Sequence, residues 1–130
     1  MTWTLEYPTR PWTLNNERTW HHHKRAKIVK EWREAFCDLA KEEMVPRLEA
    51  IEVTAQPYVL NGRYRQDVGG CFPAAKAAID GLVDAGVLVD DNAKIVLKLT
   101  FLAPIFGRDA FAITINEVEL EVTKPLDSIE

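Results

Sequence analysis

The 130-residue chain is 47% hydrophobic and 28% charged, with 6 Gly and 7 Pro, which describes one globular domain with its own core and excludes a disordered or fibrous chain. Apolar runs of a few residues fall far short of the roughly 20 a bilayer requires, and no charged-then-apolar leader opens the sequence, so neither a membrane span nor a secretion signal is expected. The net charge of −4 is unevenly spread: residues 1–65 hold 11 Lys/Arg against 9 Asp/Glu, while residues 66–130 hold 5 against 11. Two cysteines, Cys37 and Cys71, fit a reducing compartment better than a disulfide scaffold.

Trp3, Leu5 and Tyr7 alternate with Thr2, Thr4 and Glu6, which predicts a first strand stopped by Pro8 and Pro11. A polar connection containing Leu14-Asn15-Asn16 follows. From about His23 to Met44 apolar residues recur at helical spacing (Ile28, Val29, Trp32, Ala35, Phe36, Leu39, Ala40), so a long helix is expected, ended by Pro46. Ile51, Val53 and Ala55 mark a second strand whose far end Pro57 demotes to an edge or bulge. Asn61-Gly62 signals a turn. A loop from Arg63 to Phe72 leads into a short helix, Pro73 to Ala85, closed by Gly86. A third strand spans Lys94 to Leu102, with Ile95, Leu97, Leu99 and Phe101 on one face. A fourth begins at Phe111, and its apolar set changes parity near Asn116 or Glu117, predicting a bulge or break. The expected fold is α+β: a single small domain over residues 1–123, a mixed four-stranded sheet with two helices in the order β-α-β-α-β-β, and an acidic C-terminal tail over residues 124–130.

Between Arg10 and Arg33 lie 7 basic and 2 acidic residues, interleaved with Trp12 and Trp20, the kind of stretch a polyanion surface uses. On the second helix, Lys76 stands in the first turn against the helix dipole, with Asp80 and Asp84 following at i+4 and i+8 on the same arc. Such departures from local preference mark either a functional site or a solvated polar face. Gly81, in mid-helix, costs about 1 kcal/mol against Ala, so something is expected to pack closely there. Asp90-Asp91-Asn92 reads either as a turn held by its own hydrogen bonds or as adjacent carboxylates with a cation between them. His21-His22-His23 is expected to be structural or phosphate-facing, because consecutive helical residues do not converge on one ion. Cys71 has no histidine paired with it by pattern and is expected to be an idle thiol.

The segment from Lys76 through Asp80 and Gly86 to Asp90-Asp91 resembles the signature of RusA-like Holliday-junction resolvases. Pro11-Trp12-Thr13-Leu14-Asn15-Asn16, ahead of a basic helix, is similar to that family's N-terminal segment. The resemblance spans most of residues 10–115. It implies a homodimeric, Mg²⁺-dependent endodeoxyribonuclease, encoded by a phage or prophage and acting in the bacterial cytoplasm. Such an enzyme cuts four-way DNA junctions by paired symmetric nicks, leaving 5′-phosphate and 3′-hydroxyl ends, with no membrane partner and no small-molecule cofactor. By position it implies Lys76 and Asp91 as catalytic residues, with Asp80 and Asp90 also acidic in the family. Where the family has two carboxylates and an asparagine six, four and three residues before its lysine, this sequence has Gly70, Phe72 and Pro73; the nearest acid is Asp67. Asp67 is therefore expected to take a catalytic and metal-binding place beside Asp80, Asp90 and Asp91, with Gly69-Gly70 bending the loop. Asn15, Arg18, Lys24, Lys27, Lys30, Arg63 and Arg65 are the expected DNA contacts. The alternative is a junction- or branched-DNA-binding module that has lost metal ligands and cuts weakly or not at all.

Overall fold

The computed structural model describes residues 1–61 and 67–119. Alternation makes β1 (Thr2–Tyr7), as the pattern predicts. The connection after it contains a short helix, α1 (Leu14–Glu17), in place of an irregular link. Thr13 Oγ1 accepts from the Asn16 N–H at 3.3 Å while Asn16 Oδ1 accepts from the Thr13 N–H at 2.9 Å, a reciprocal capping box that satisfies donors at the helix start. Next come α2 (His22–Glu42), β2 (Ile51–Val59), α3 (Phe72–Asp84), β3 (Val96–Phe101), β4 (Ile105–Phe106) and β5 (Ala110–Glu117). The fold is α+β, with five strands and three helices among the described residues where four and two were expected; the additions are α1 and β4.

The sheet order is β1-β5-β2-β3, with β4 continuing beside β2 on the β3 side. β5 runs antiparallel to both β1 and β2, whereas β3 and β4 run parallel to β2, so the sheet is mixed. Register puts Trp3, Ile115 and Val53 in one row, Leu5, Ile113 and Ala55 in the next, and Tyr7, Phe111 and Pro57 in a third. These rows form the face covered by the helices. Thr4, Thr114, Thr54 and Thr100 line up across four strands on the other face. Polar residues there leave one sheet face to water, as antiparallel pairing permits.

Two expectations about strands need correction, and a third, the break near Asn116 or Glu117, is met. β2 is interior, not an edge: Pro57 pairs with Phe111 on one side, and on the other it falls where β3 has ended, opposite Ala55, and β4 has not begun, opposite Tyr58. A proline without an N–H is tolerated where the neighbouring ladder is interrupted. In β3 the register slips beside Ile51/Glu52, so Val96 pairs with Ile51 but Lys98 with Glu52; the extra residue, Leu97, is 43% exposed instead of sharing a face with Leu99 and Phe101. β5 keeps one register to Glu117 and stops, so the change of parity marks a strand end. Leu120, Val122 and the acidic tail lie outside the described residues.

α2 and α3 pack side by side on the covered face. Tyr7 meets Trp32 edge-on at 5.1 Å between ring centroids, and Phe111 lies 5.5 Å from Trp32 and 6.2 Å from Phe36. This aromatic cluster ties α2 to β1 and β5. α3 is rich in small buried residues, Ala74, Ala75, Ala77, Ala78 and Gly81, and at Gly81 it comes directly against α2. The close packing expected at Gly81 is present: a Cβ there would stand 2.7 Å from the Arg33 carbonyl oxygen and 3.0 Å from the Cys37 nitrogen. Arg33 then crosses to Asp84 with two hydrogen bonds, 3.0 and 2.8 Å, a forked pair clamping the two helices.

Candidate active site

Lys76 and Asp80 sit one turn apart on the open edge of α3, and Lys76 Nζ donates to Asp80 Oδ1 at 2.8 Å. α3 ends at Asp84, and Gly86 two residues on has a φ of +82°, the left-handed conformation that stops helices. The Gly86 and Val87 N–H groups bond back to Val83 and Leu82, the chain reverses, and Val87 and Leu88 bury in the core. That reversal carries Asp90-Asp91 back along the helix, where Lys76 Nζ donates to Asp91 Oδ2 as well. One ammonium therefore joins two carboxylates that lie eleven residues apart in sequence. Asp84, expected on the same arc, turns away to Arg33.

Partial burial pulls the Lys76 pKa down, but the hydrogen bonds it donates to Asp80 and Asp91 outweigh it, and the net shift is upward. The same hydrogen bond from Lys76 holds the Asp91 carboxyl below its ordinary value. Both groups stay charged through the physiological range. Asp90 instead serves the turn: its Oδ1 accepts from the Asp91 N–H at 2.8 Å, and Asn92 Oδ1 accepts from the Lys94 N–H at 2.9 Å. The two readings of Asp90-Asp91-Asn92 thus divide, with Asp90 and Asn92 building the turn and Asp91 facing the lysine.

Asp67 is exposed, in a tight turn where its carbonyl accepts from the Gly70 N–H at 2.9 Å. The bend falls at Gly69, with φ +85°, and a Cβ on Gly70 would meet the Asp67 carbonyl oxygen at 3.0 Å. The Gly70 carbonyl accepts from the Leu14 N–H, which ties this turn to α1. Among the described contacts, none joins Asp67 to Lys76 or Asp91. Arg63 and Arg65 lie outside the described residues.

A cleft of ≈ 270 Å³ opens beside Lys76 and Asp80, and Arg25 and Val29 of α2 form its opposite wall. Arg25, which pairs with Glu17 at 3.0 Å, was not singled out from the sequence. Its signal was its place one turn before Val29, on the stripe of α2 that turns toward α3. Lys24, Lys27 and Lys30 are exposed along the neighbouring surface, with Asn15 and Arg18 exposed on and just after α1.

No family model and no curated protein matches this sequence.

The histidine run departs from expectation. His21 is the N-cap of α2, in extended conformation, and its Nδ1 accepts from the His23 N–H at 3.2 Å. Because His21 lies outside the helix, the three rings fold together with centroids 4.1 to 5.0 Å apart, and a ligand atom of each lies within 4.8 Å of the others. Among the described residues this is the group of three potential metal ligands that converges; Asp67, Asp80, Asp90 and Asp91 do not form one. Cys71 is buried, and burial pushes its thiol pKa up to about 11, so it is no nucleophile at neutral pH.

Proposed function

We propose that this chain is a Mg²⁺-dependent, structure-selective endodeoxyribonuclease that resolves four-way DNA junctions by paired nicks. The observation that carries the reading is Lys76 held between Asp80 and Asp91 at the mouth of a cleft whose far wall is Arg25, beside the exposed Lys24, Lys27 and Lys30. The resemblance of the Lys76–Asp91 segment to RusA-like resolvases supports it. Phosphodiester hydrolysis needs positive charge where the phosphoryl oxygens gain negative charge, and a protonated lysine fixed by two carboxylates meets that need without reorganisation. Asp80 and Asp91 are hard oxygen donors reaching a common point on a partly open surface, a donor set that suits Mg²⁺, which keeps most of its waters and takes one or two carboxylates. Asp90 and Asp67 are the further carboxylates the resemblance assigns to it, but among the described residues they do not converge with Asp80 and Asp91: Asp90 Oδ1 is held by the Asp91 N–H, and Asp67 has no described contact with the pair. When bound there, the ion supplies a more acidic water and neutralises phosphoryl charge. Lys76 orients the phosphate, Asp80 and Asp91 keep it protonated and aimed, and Arg25 with the α2 lysines holds the flanking backbone.

A second copy of the chain would provide the second cut, since a two-fold junction matches a two-fold dimer. The outer sheet edge supports this: Leu97, Leu102, Ile105 and Phe106 are exposed along β3 and β4, with Phe106 58% accessible. An edge strand with exposed apolar side chains is a template for pairing. On this reading the protein works in the cytoplasm of a bacterial host, as a phage or prophage product.

One observation favours a second reading, a branched-DNA-binding module with weak or no cleavage. Lys76 itself neutralises Asp80 and Asp91, and no described contact brings Asp67 to them. A labelled four-way junction incubated at low salt with Mg²⁺ or EDTA, beside matched duplex, separates the two. Paired nicks that require Mg²⁺ and fall by about a hundredfold or more in Asp91→Asn are the expected result. Tight junction binding with no nicks in either condition gives the second reading.

A further inference from the structure

On the opposite side of α1 from the Lys76 cleft lies a larger one, ≈ 650 Å³, lined by three of the four tryptophans, Trp12, Trp20 and Trp32, together with Arg10 and Lys24. The first turns of α2 divide the two clefts. Lys24 and Ile28 look into the tryptophan cleft, whereas Arg25 and Val29, each one residue further on, look into the cleft that holds Lys76. Successive helical side chains point about 100° apart, so α2 forms a ridge with a basic residue on each flank.

Trp20 is half-buried, its ring 6.2 Å from that of Trp12, and Lys24 Nζ lies over its face at 4.9 Å. Trp12, only 5% exposed, has its Nε1 buried with no acceptor among the described residues. A buried donor without a partner is rare enough in folded proteins to call for an explanation.

We propose that this cleft receives an unstacked nucleobase of single-stranded DNA, taken from the strand that leaves the branch. The inference rests on the nuclease reading for its biological setting, but its chemistry stands on the cleft alone. An apolar ligand would make no use of the exposed Lys24 ammonium, and a simple anion would make no use of the indole surfaces. A nucleotide uses both, its base stacking on Trp20 and its phosphate meeting Lys24. Glu31, on the same wall, can accept from an exocyclic amino group where the base carries one. A double helix keeps its bases stacked and presents none, so the cleft discriminates between a duplex arm and the opened strands at a branch point.

The test uses the whole protein in EDTA and needs neither a junction nor cleavage. A short thymidine oligonucleotide and an abasic strand of equal length and charge are titrated at low salt, with tryptophan fluorescence as the readout. The expected result is at least about tenfold tighter binding of the strand that carries bases, with fluorescence quenching that the abasic strand does not produce. Trp20→Ala should bring the two strands to equal affinity, and Trp20→Phe should restore the preference. Equal affinity of the two strands for the unaltered protein, or binding with no fluorescence change, overturns the proposal. Failure of junction cleavage beside a preserved base preference leaves the cleft assigned and removes only the nuclease reading.

Discussion

At Lys76 three residues share one electrostatic fate. Its ammonium is the common partner of Asp80 and Asp91, and all three are partly exposed, so the pairs stabilise the fold only modestly. Their value lies in position, because a lysine held at both sides presents its charge in one place. Asp91 titrates below its ordinary value because Lys76 hydrogen-bonds its ionised form. A depressed carboxyl pKa contributes stability that is present above the unfolded value, near 3.8, and is lost as pH falls through the folded one. Asp84, held down by Arg33, and Glu6, held down by Arg108, act in the same direction. Lys76→Met removes the charge while keeping most of the side chain's length. Carboxyl titration followed by NMR should then show the Asp91 pKa rising to its ordinary range or above, with acid unfolding beginning at higher pH. In the junction assay the same variant should lose about 10²- to 10³-fold in cleavage rate while still binding DNA. An unmoved Asp91 titration would mean that the ion pair does not form in solution.

At the scale of elements, the decisive contact is between α2 and α3. Gly81 sits against α2 backbone, so added volume there has no flexible side chain to displace. Gly81→Ala should gain up to about 1 kcal/mol in helix propensity yet lose roughly 1–3 kcal/mol or more to overpacking, for a net loss measured by urea unfolding. A gain in stability would show that the helices can separate without cost. This contact was legible in advance because a glycine in mid-helix violates propensity. The long helix and the first two strands were legible for a related reason, since their apolar residues repeat over enough positions to define a period. α1 was not, because four residues span barely one turn and only its Thr13–Asn16 capping pair announces it. Neither the interior place of β2 nor the slip beside Leu97 could be read locally, because both are set by which strands pair, a property of distant residues.

Across the whole molecule, the basic half and the acidic half of the sequence meet at the α2–α3 groove. Lys76 and Asp80 stood out by their spacing on one helix arc and Asp91 through the resemblance, but the clamp that joins them depends on the reversal at Gly86. The tryptophan cleft was visible only as aromatics interleaved with bases, since its walls come from α2 and from the segment before it. On the proposed reading, the exposed lysines of α2 would hold DNA backbone without regard to sequence. Lys27 is exposed, and Lys30 has only a loose 3.9 Å pair with Glu34 in which both side chains are largely solvated, so each is available to a phosphate. Each phosphate neutralised by a lysine releases condensed counterions from DNA, making affinity fall steeply with salt. Combining Lys27→Ala with Lys30→Ala should therefore weaken binding to junction and duplex by the same factor. It should also reduce the magnitude of the slope of log affinity against log salt by about 2, one for each lysine. Neither residue supports the core, so thermal stability should stay within about 0.5 kcal/mol of the unaltered protein. A slope that does not change would place the DNA on another face and detach the α2 ridge from the Lys76 site. A slope that falls for the junction alone would make these lysines readers of branch shape instead of backbone charge.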